Sequence, residues 1–185
     1  MLAKGELSNA LEVYWRDAAR CFNSKAFWCL LHVTVSLPDV CAALESTDGN
    51  ATFQRYKNWC DKYFAQPALN GTERYKIRCK VLHQGRARPS RPGRYAMFAF
   101  GQPHSSGAVD HLRVDGSTLH IDVGELYKET YQAIEKWIGT LEGSLASAEA
   151  NNVAKNLPLL VRVTTPTVPV STSAGTSFVT INKTN

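Results

Sequence analysis

Glu73-Arg74-Tyr75-Lys76-Ile77-Arg78-Cys79-Lys80-Val81-Leu82-His83-Gln84-Gly85 reads as one helix with a glycine stop. At about 100° per residue, Tyr75, Cys79 and Leu82 fall on one apolar stripe, and Ile77 with Val81 on a second. Thr72 is placed to act as its N-cap, and Gly85 can take the left-handed conformation that ends a helix. A helix apolar on two sides belongs at the centre of a bundle or at a seam between subunits. Arg78 borders the first stripe on one side and His83 on the other. Charged and polar groups at such a seam are costly to bury alone, so both need partners or a task.

Charge concentrates on the same stretch. Arg74, Lys76, Arg78, Lys80, Arg86, Arg88, Arg91 and Arg94 are eight cations within 21 residues, and no acid lies among them. The chain carries 21 basic and 16 acidic residues, so the remainder holds 13 against 16 and is net −3. One local run therefore makes the chain basic, and a partner rich in phosphate is the natural expectation. The alternative is a solvated basic loop.

Outward from this helix the pattern stays helical. Leu7, Leu11, Tyr14, Ala18 and Phe22 recur at helical steps, predicting a helix over about 6–22. A more completely apolar helix is predicted over about 25–45, kinked or split at Pro38. Phe53, Tyr56, Cys60 and Phe64 trace a third, after the Asp48-Gly49 breaker. Beyond Gly85, Pro89, Pro92 and Gly93 mark a linker, and Tyr95 to Phe100 reads as a strand. Leu112 to Val114 and Thr118 to Ile121 flank Asp115-Gly116, a hairpin signal. Asp122 and Glu125 have capping-box spacing ahead of a helix through Leu126, Ala133, Ile134, Trp137 and Leu141.

The expected architecture is mainly α: a bundle of about five helices with a small β-hairpin and strand inserted before the last helix. Residues 1–150 form the helical domain, with the insertion at about 95–121. Residues 151–185 are a Val/Thr/Ser/Pro-rich tail, read as an edge strand or disorder. Trp15, Trp28, Trp59 and Trp137 fit core faces rather than base-stacking platforms. The five cysteines, Cys21, Cys29, Cys41, Cys60 and Cys79, form no C-x-x-C pair and mostly occupy apolar helix positions. They fit reduced, buried thiols in the cytoplasm. The most apolar run, Ala26 to Leu37, is broken by His32, Thr34 and Ser36, which argues against a membrane span, and no secretory leader is visible.

The chemistry open to Arg78 and His83 is phosphoryl chemistry. Histidine transfers protons in both directions near neutral pH. Arginine offers a fixed fork to phosphate oxygens and to charge developing in an in-line displacement. RNA brings its own nucleophile, the 2′-hydroxyl, so the two side chains suffice without a metal. Spacing alone is weak support, since Arg113 and His120 show a similar one inside the predicted hairpin.

The surrounding sequence adds to it. Glu73 to Gly85, and above all Leu82-His83-Gln84-Gly85, resembles the R-x4-6-H helix of HEPN domains (higher eukaryotes and prokaryotes nucleotide-binding) of bacterial and phage type. The specific match covers about thirteen residues, and the resemblance extends over the helical part, 6–142. It implies a helical bundle that pairs as a homodimer, bringing two Arg/His motifs into one cleft. It further implies an RNA-directed protein, a metal-independent endoribonuclease in toxin–antitoxin or defence settings, with a cognate antitoxin or other partner protein. Arg78 and His83 are then the catalytic pair. Arg74, Lys80, Gln84, Arg86, Arg88, Arg91 and Arg94 are the expected nucleic-acid contacts. Catalytic members of the family carry a polar residue directly after the arginine, where this chain has Cys79, and non-catalytic binding modules occur in the same family.

Other candidates are weaker. His32 reads as a satisfied core or interface histidine. His104, His111 and His120, with Asp110, lie in or beside the β insertion without a distinctive metal spacing. Glu12, Asp17 and Asp39 are carboxylates able to pair with Arg78 in a purely structural role. Phosphate-loop and dinucleotide fingerprints are absent, and no cofactor is implied.

Overall fold

The computed structural model describes residues 1–65, 67–85, 94–103 and 110–160. Six α-helices lie among them: α1 (Glu6–Asn23), α2 (Phe27–Glu45), α3 (Phe53–Tyr63), α4 (Gly71–Gln84), α5 (Val123–Glu142) and α6 (Ala148–Asn156). Three strands, β1 (Met97–Gly101), β2 (Val114–Asp115) and β3 (Thr118–Asp122), precede α5. The architecture is a mainly helical bundle with a small open sheet inserted before the last two helices.

Helix α2 organises the rest. Its residues are apolar almost all round, and it packs against each of the other five helices. Leu30, Leu31, Leu37 and Cys41 are fully covered. By length and composition α2 would also pass for a membrane-crossing helix. It runs unbroken through Pro38, so the predicted kink or split does not divide it. Its C-terminal carbonyls are orphaned by helix geometry. They are met from α6: the buried Asn156 side chain donates from Nδ2 to the carbonyls of Leu44 (3.0 Å) and Ser46 (2.6 Å). Helix α6 thus occupies ground expected to be tail, which at its start is neither strand nor disorder. Residues 161–185 lie outside the described residues.

Two apolar clusters fill the interior. One joins α1, α2, α3, α5 and α6 around Trp59 and Trp137, whose rings meet edge to face at 5.9 Å between centroids. The other joins α2 and α4 to the sheet through Leu31, Ile77, Val81, Phe98 and Leu119. Strand β3 is central, parallel to β1 and antiparallel to β2. The predicted hairpin is the β2–β3 pair, turning at Gly116 with φ +57°. Asp122 caps α5 by accepting from the Glu125 amide at 3.0 Å, as its spacing predicts.

Helix α4 starts two residues before where Thr72 pointed. Asn70 is the cap, its Oδ1 accepting from the Glu73 amide at 3.0 Å. Gly71 is the first helical residue, and its amide donates to Asp61 Oδ1 at 2.7 Å. A Cβ there would sit 2.3 Å from the Lys57 carbonyl oxygen, so α3 and α4 approach as closely as their backbones allow. Alanine ordinarily stabilises a helix relative to glycine by about 1 kcal/mol. At this position the sign reverses: Gly71→Ala forces the helices apart, and urea denaturation is expected to show a loss of about 1–3 kcal/mol.

Candidate functional site

The expected pair is assembled by α4 against α2. Arg78 Nε donates to Asp39 Oδ2, and Arg78 Nη1 lies 2.9 Å from His83 Nε2. Nη1 also reaches Cys79 Sγ at 3.9 Å. The pair is five residues apart on α4, and Asp39 sits directly after Pro38 on α2. Arg78 and Asp39 are largely covered, with 22% and 17% of their side-chain surfaces exposed, whereas His83 is open to solvent. Burial pushes the Asp39 carboxyl above its ordinary value, against the hydrogen bond and charge of Arg78.

These contacts define the state of the imidazole. A guanidinium has only donors, so His83 Nε2 must accept from Arg78 and the ring proton sits on Nδ1. In this arrangement His83 is neutral, with its basic nitrogen occupied by Arg78. The cluster contains one cation, one carboxylate and one solvent-facing base, spanning two helices. Of the carboxylates considered from sequence, Asp39 is the partner. Asp17 pairs with Arg20 on its own helix at 3.1 Å, and Glu12 is exposed.

The helix stop is also as expected. Gly85 has φ +56°, and its amide donates to the Lys80 carbonyl. Of the two apolar stripes on α4, Ile77 and Val81 are core, each 2% exposed. Tyr75, Cys79 and Leu82 are only half-buried.

Arg74 does not match its expected role. It is 4% exposed, and its guanidinium stacks on the Phe64 ring at 3.5 Å. Nε donates to the Leu69 carbonyl at 2.9 Å, and Nη2 to Glu129 Oε2 at 2.7 Å. Its donors are committed to the interior, which leaves it a structural part rather than a phosphate contact. Lys80 is also buried, at 8% exposed. Arg94 is exposed, donating to the Pro67 carbonyl at 3.4 Å. Arg86, Arg88 and Arg91, and the side chain of Gln84, lie outside the described residues.

The Arg74 network continues to the sheet. The Asp122 amide donates to His111 Nδ1 at 3.2 Å, so Nε2 carries the proton and donates to Glu129 Oε1 at 3.0 Å. Nothing local in the sequence joins Arg74, His111 and Glu129, which come from three separate elements. Among the described residues no group of three or more His, Cys, Asp or Glu side chains is placed to hold a metal ion. His32 is half-buried, bonded from Nδ1 to the Trp28 carbonyl at 2.9 Å. Trp28 itself is 55% exposed and Cys29 is exposed, so neither is the core filler expected of it. The cysteines are free thiols, with Cys41 and Cys60 buried.

In comparisons with known proteins, no family model, no curated protein and no solved structure matches the chain.

Glu129 supplies a pH signature. Burial raises its pKa, but the hydrogen bonds from His111 and Arg74 and the charge of Arg74 outweigh this and hold it below 4.5. Its contribution to stability is therefore complete above the ordinary value and is lost as pH falls through the lowered one. The difference in unfolding free energy between wild type and Glu129→Gln, measured by urea titration, should stay constant near neutrality and narrow below pH 4.5.

Proposed function

We propose that the chain is an RNA-directed protein of HEPN type, acting as a metal-independent endoribonuclease through Arg78 and His83. The observation that carries this reading is the contact of Arg78 with both Asp39 and solvent-open His83, on a helix whose sequence resembles the HEPN motif. The paired-subunit cleft, the partner antitoxin and the defence setting belong to the same proposal through the resemblance.

The chemistry follows from the contacts. A phosphate arriving at Arg78 offers stronger acceptors than an imidazole nitrogen. It competes with His83 for Nη1 and releases Nε2 at the moment substrate is bound. His83 Nε2 then takes the proton of the 2′-hydroxyl. The 2′-oxygen–phosphorus bond forms, the phosphorus–O5′ bond breaks, and the departing 5′-oxygen takes a proton from solvent. Arg78 stabilises the charge that builds on the phosphoryl oxygens. Asp39 acts through Arg78, fixing the guanidinium from the opposite side and correcting the net charge of the cluster.

A second reading is favoured by Cys79, which stands where catalytic relatives in the proposed family carry a polar residue. In that reading the same cluster binds RNA without cutting it, and affinity falls with salt in proportion to the phosphates neutralised.

Incubation of single-stranded RNA in EDTA tests both. Catalysis predicts fragments ending in 2′,3′-cyclic phosphate. Losing the proton carrier in His83→Ala should lower the rate by about 10²–10⁴-fold while folding persists. Retention without fragments selects the binding module. Cleavage that survives both His83→Ala and Arg78→Ala removes the cluster from the reaction.

A further inference from the structure

We infer that Trp28, held by His32, is a stacking platform for an unpaired nucleobase next to the phosphate at Arg78; this rests on the RNA-directed reading above. Two contacts orient the site. Asp39 meets Arg78, and eleven residues earlier on α2, Trp28 meets Gly85, seven residues later on α4. The helices therefore run antiparallel, and His83 falls between the two contacts. The Trp28 ring atom Cζ2 lies 4.0 Å from the position of a Cβ on Gly85. The indole thus meets the chain two residues after His83.

The indole is held in place, and more than half of it is open. His32 packs against it in a T-shaped contact with centroids 4.5 Å apart. The partner of His32 Nδ1 is the Trp28 carbonyl, which can only accept, so Nδ1 carries a proton. In the neutral ring Nε2 is then an acceptor, the kind of group an exocyclic amino group of a base can meet. Trp28 is 55% exposed.

The occupant is chosen by the company Trp28 keeps. Its neighbours along the least covered side of α2 are Cys29, His32, Ser36 and Asp39, with Val33 and Val40 on the same side but packed onto the core, so one exposed aromatic ring stands among mostly polar groups. A partner helix or a second copy wants a continuous apolar strip. A single flat ring wants a single exposed aromatic face, and every base has one. The charge agrees: the one acid on this side is already paired with Arg78. The chain continues from Gly85 into Arg86, Arg88 and Arg91 without an acid.

The test is fluorescence anisotropy of a short single-stranded RNA carrying 2′-O-methyl groups, which blocks cleavage but leaves bases and phosphates. Trp28→Ala should weaken binding by about 10-fold, with Trp28→Phe retaining most of the affinity, because stacking needs a ring rather than an indole. No cation is removed, so the salt dependence should keep its wild-type slope. Sedimentation should show the same oligomeric state for both variants and wild type. If Trp28→Ala binds as tightly as wild type while Arg78→Ala binds weakly, the platform is overturned and the RNA reading stands. Weak binding accompanied by a dissociated oligomer also overturns it, making Trp28 a subunit contact. Failure of the wild type to bind the RNA overturns both.

Discussion

A helix apolar over most of its surface must be covered on most of its sides, and α2 imposes that requirement on the whole chain. Five helices answer it, and the order in which they arrive follows from the connections available. Helices α1 and α3 flank α2 in sequence and in space. Helix α4 returns across it, antiparallel, so close to α3 that Gly71 has no room for a side chain. Even α6, beyond the sheet, comes back to satisfy the carbonyls at the α2 C-terminus through Asn156. The side that remains least covered, from Trp28 to Asp39, is where the polar chemistry gathers.

Two arginines on one helix show how position decides use. Arg74 and Arg78 are four residues apart and lie near one another on α4, yet their surroundings differ. Arg74 points under Phe64 and spends its donors on a backbone carbonyl and on Glu129, itself held by His111. Removing one member of such a buried pair strands the other, a loss of about 3–5 kcal/mol. Arg78 is held by Asp39 on one side only, and its remaining donors face the solvent-open imidazole. The first guanidinium ties helix to helix. The second is restrained without being used up.

Helical periodicity made most of the bundle legible. The α1 stripe, the α5 capping box, the glycine at the end of α4 and the hairpin at Gly116 are all local patterns, and local physics reproduces them. Three things were not local. The cap of α4 moved from Thr72 to Asn70 because Gly71 had to join the helix to let α3 approach. Helix α6 lay hidden in a stretch whose composition drifts toward Val, Thr, Ser and Pro only after it ends. Arg74 looked like one more member of a basic run, and only the arrival of Glu129 from 55 residues away withdraws it from solvent. In the site, Arg78, His83 and the candidate partner Asp39 were visible as residue types. The choice of Asp39 over Asp17 and Glu12 needed the crossing of α2 and α4.

Trp28 shows the same limit from the other direction. A tryptophan near the start of a very apolar helix reads as core, and for Trp59 and Trp137 that inference works. It fails for Trp28, which sits beside Gly85 at the end of α4 and is 55% exposed. The glycine therefore does two things at once. It ends the helix two residues after His83, leaving the imidazole in the last turn with solvent beside it, and it leaves an aromatic face uncovered on the neighbouring helix. The end of this helix, rather than any single residue, is where His83 and Trp28 are both exposed.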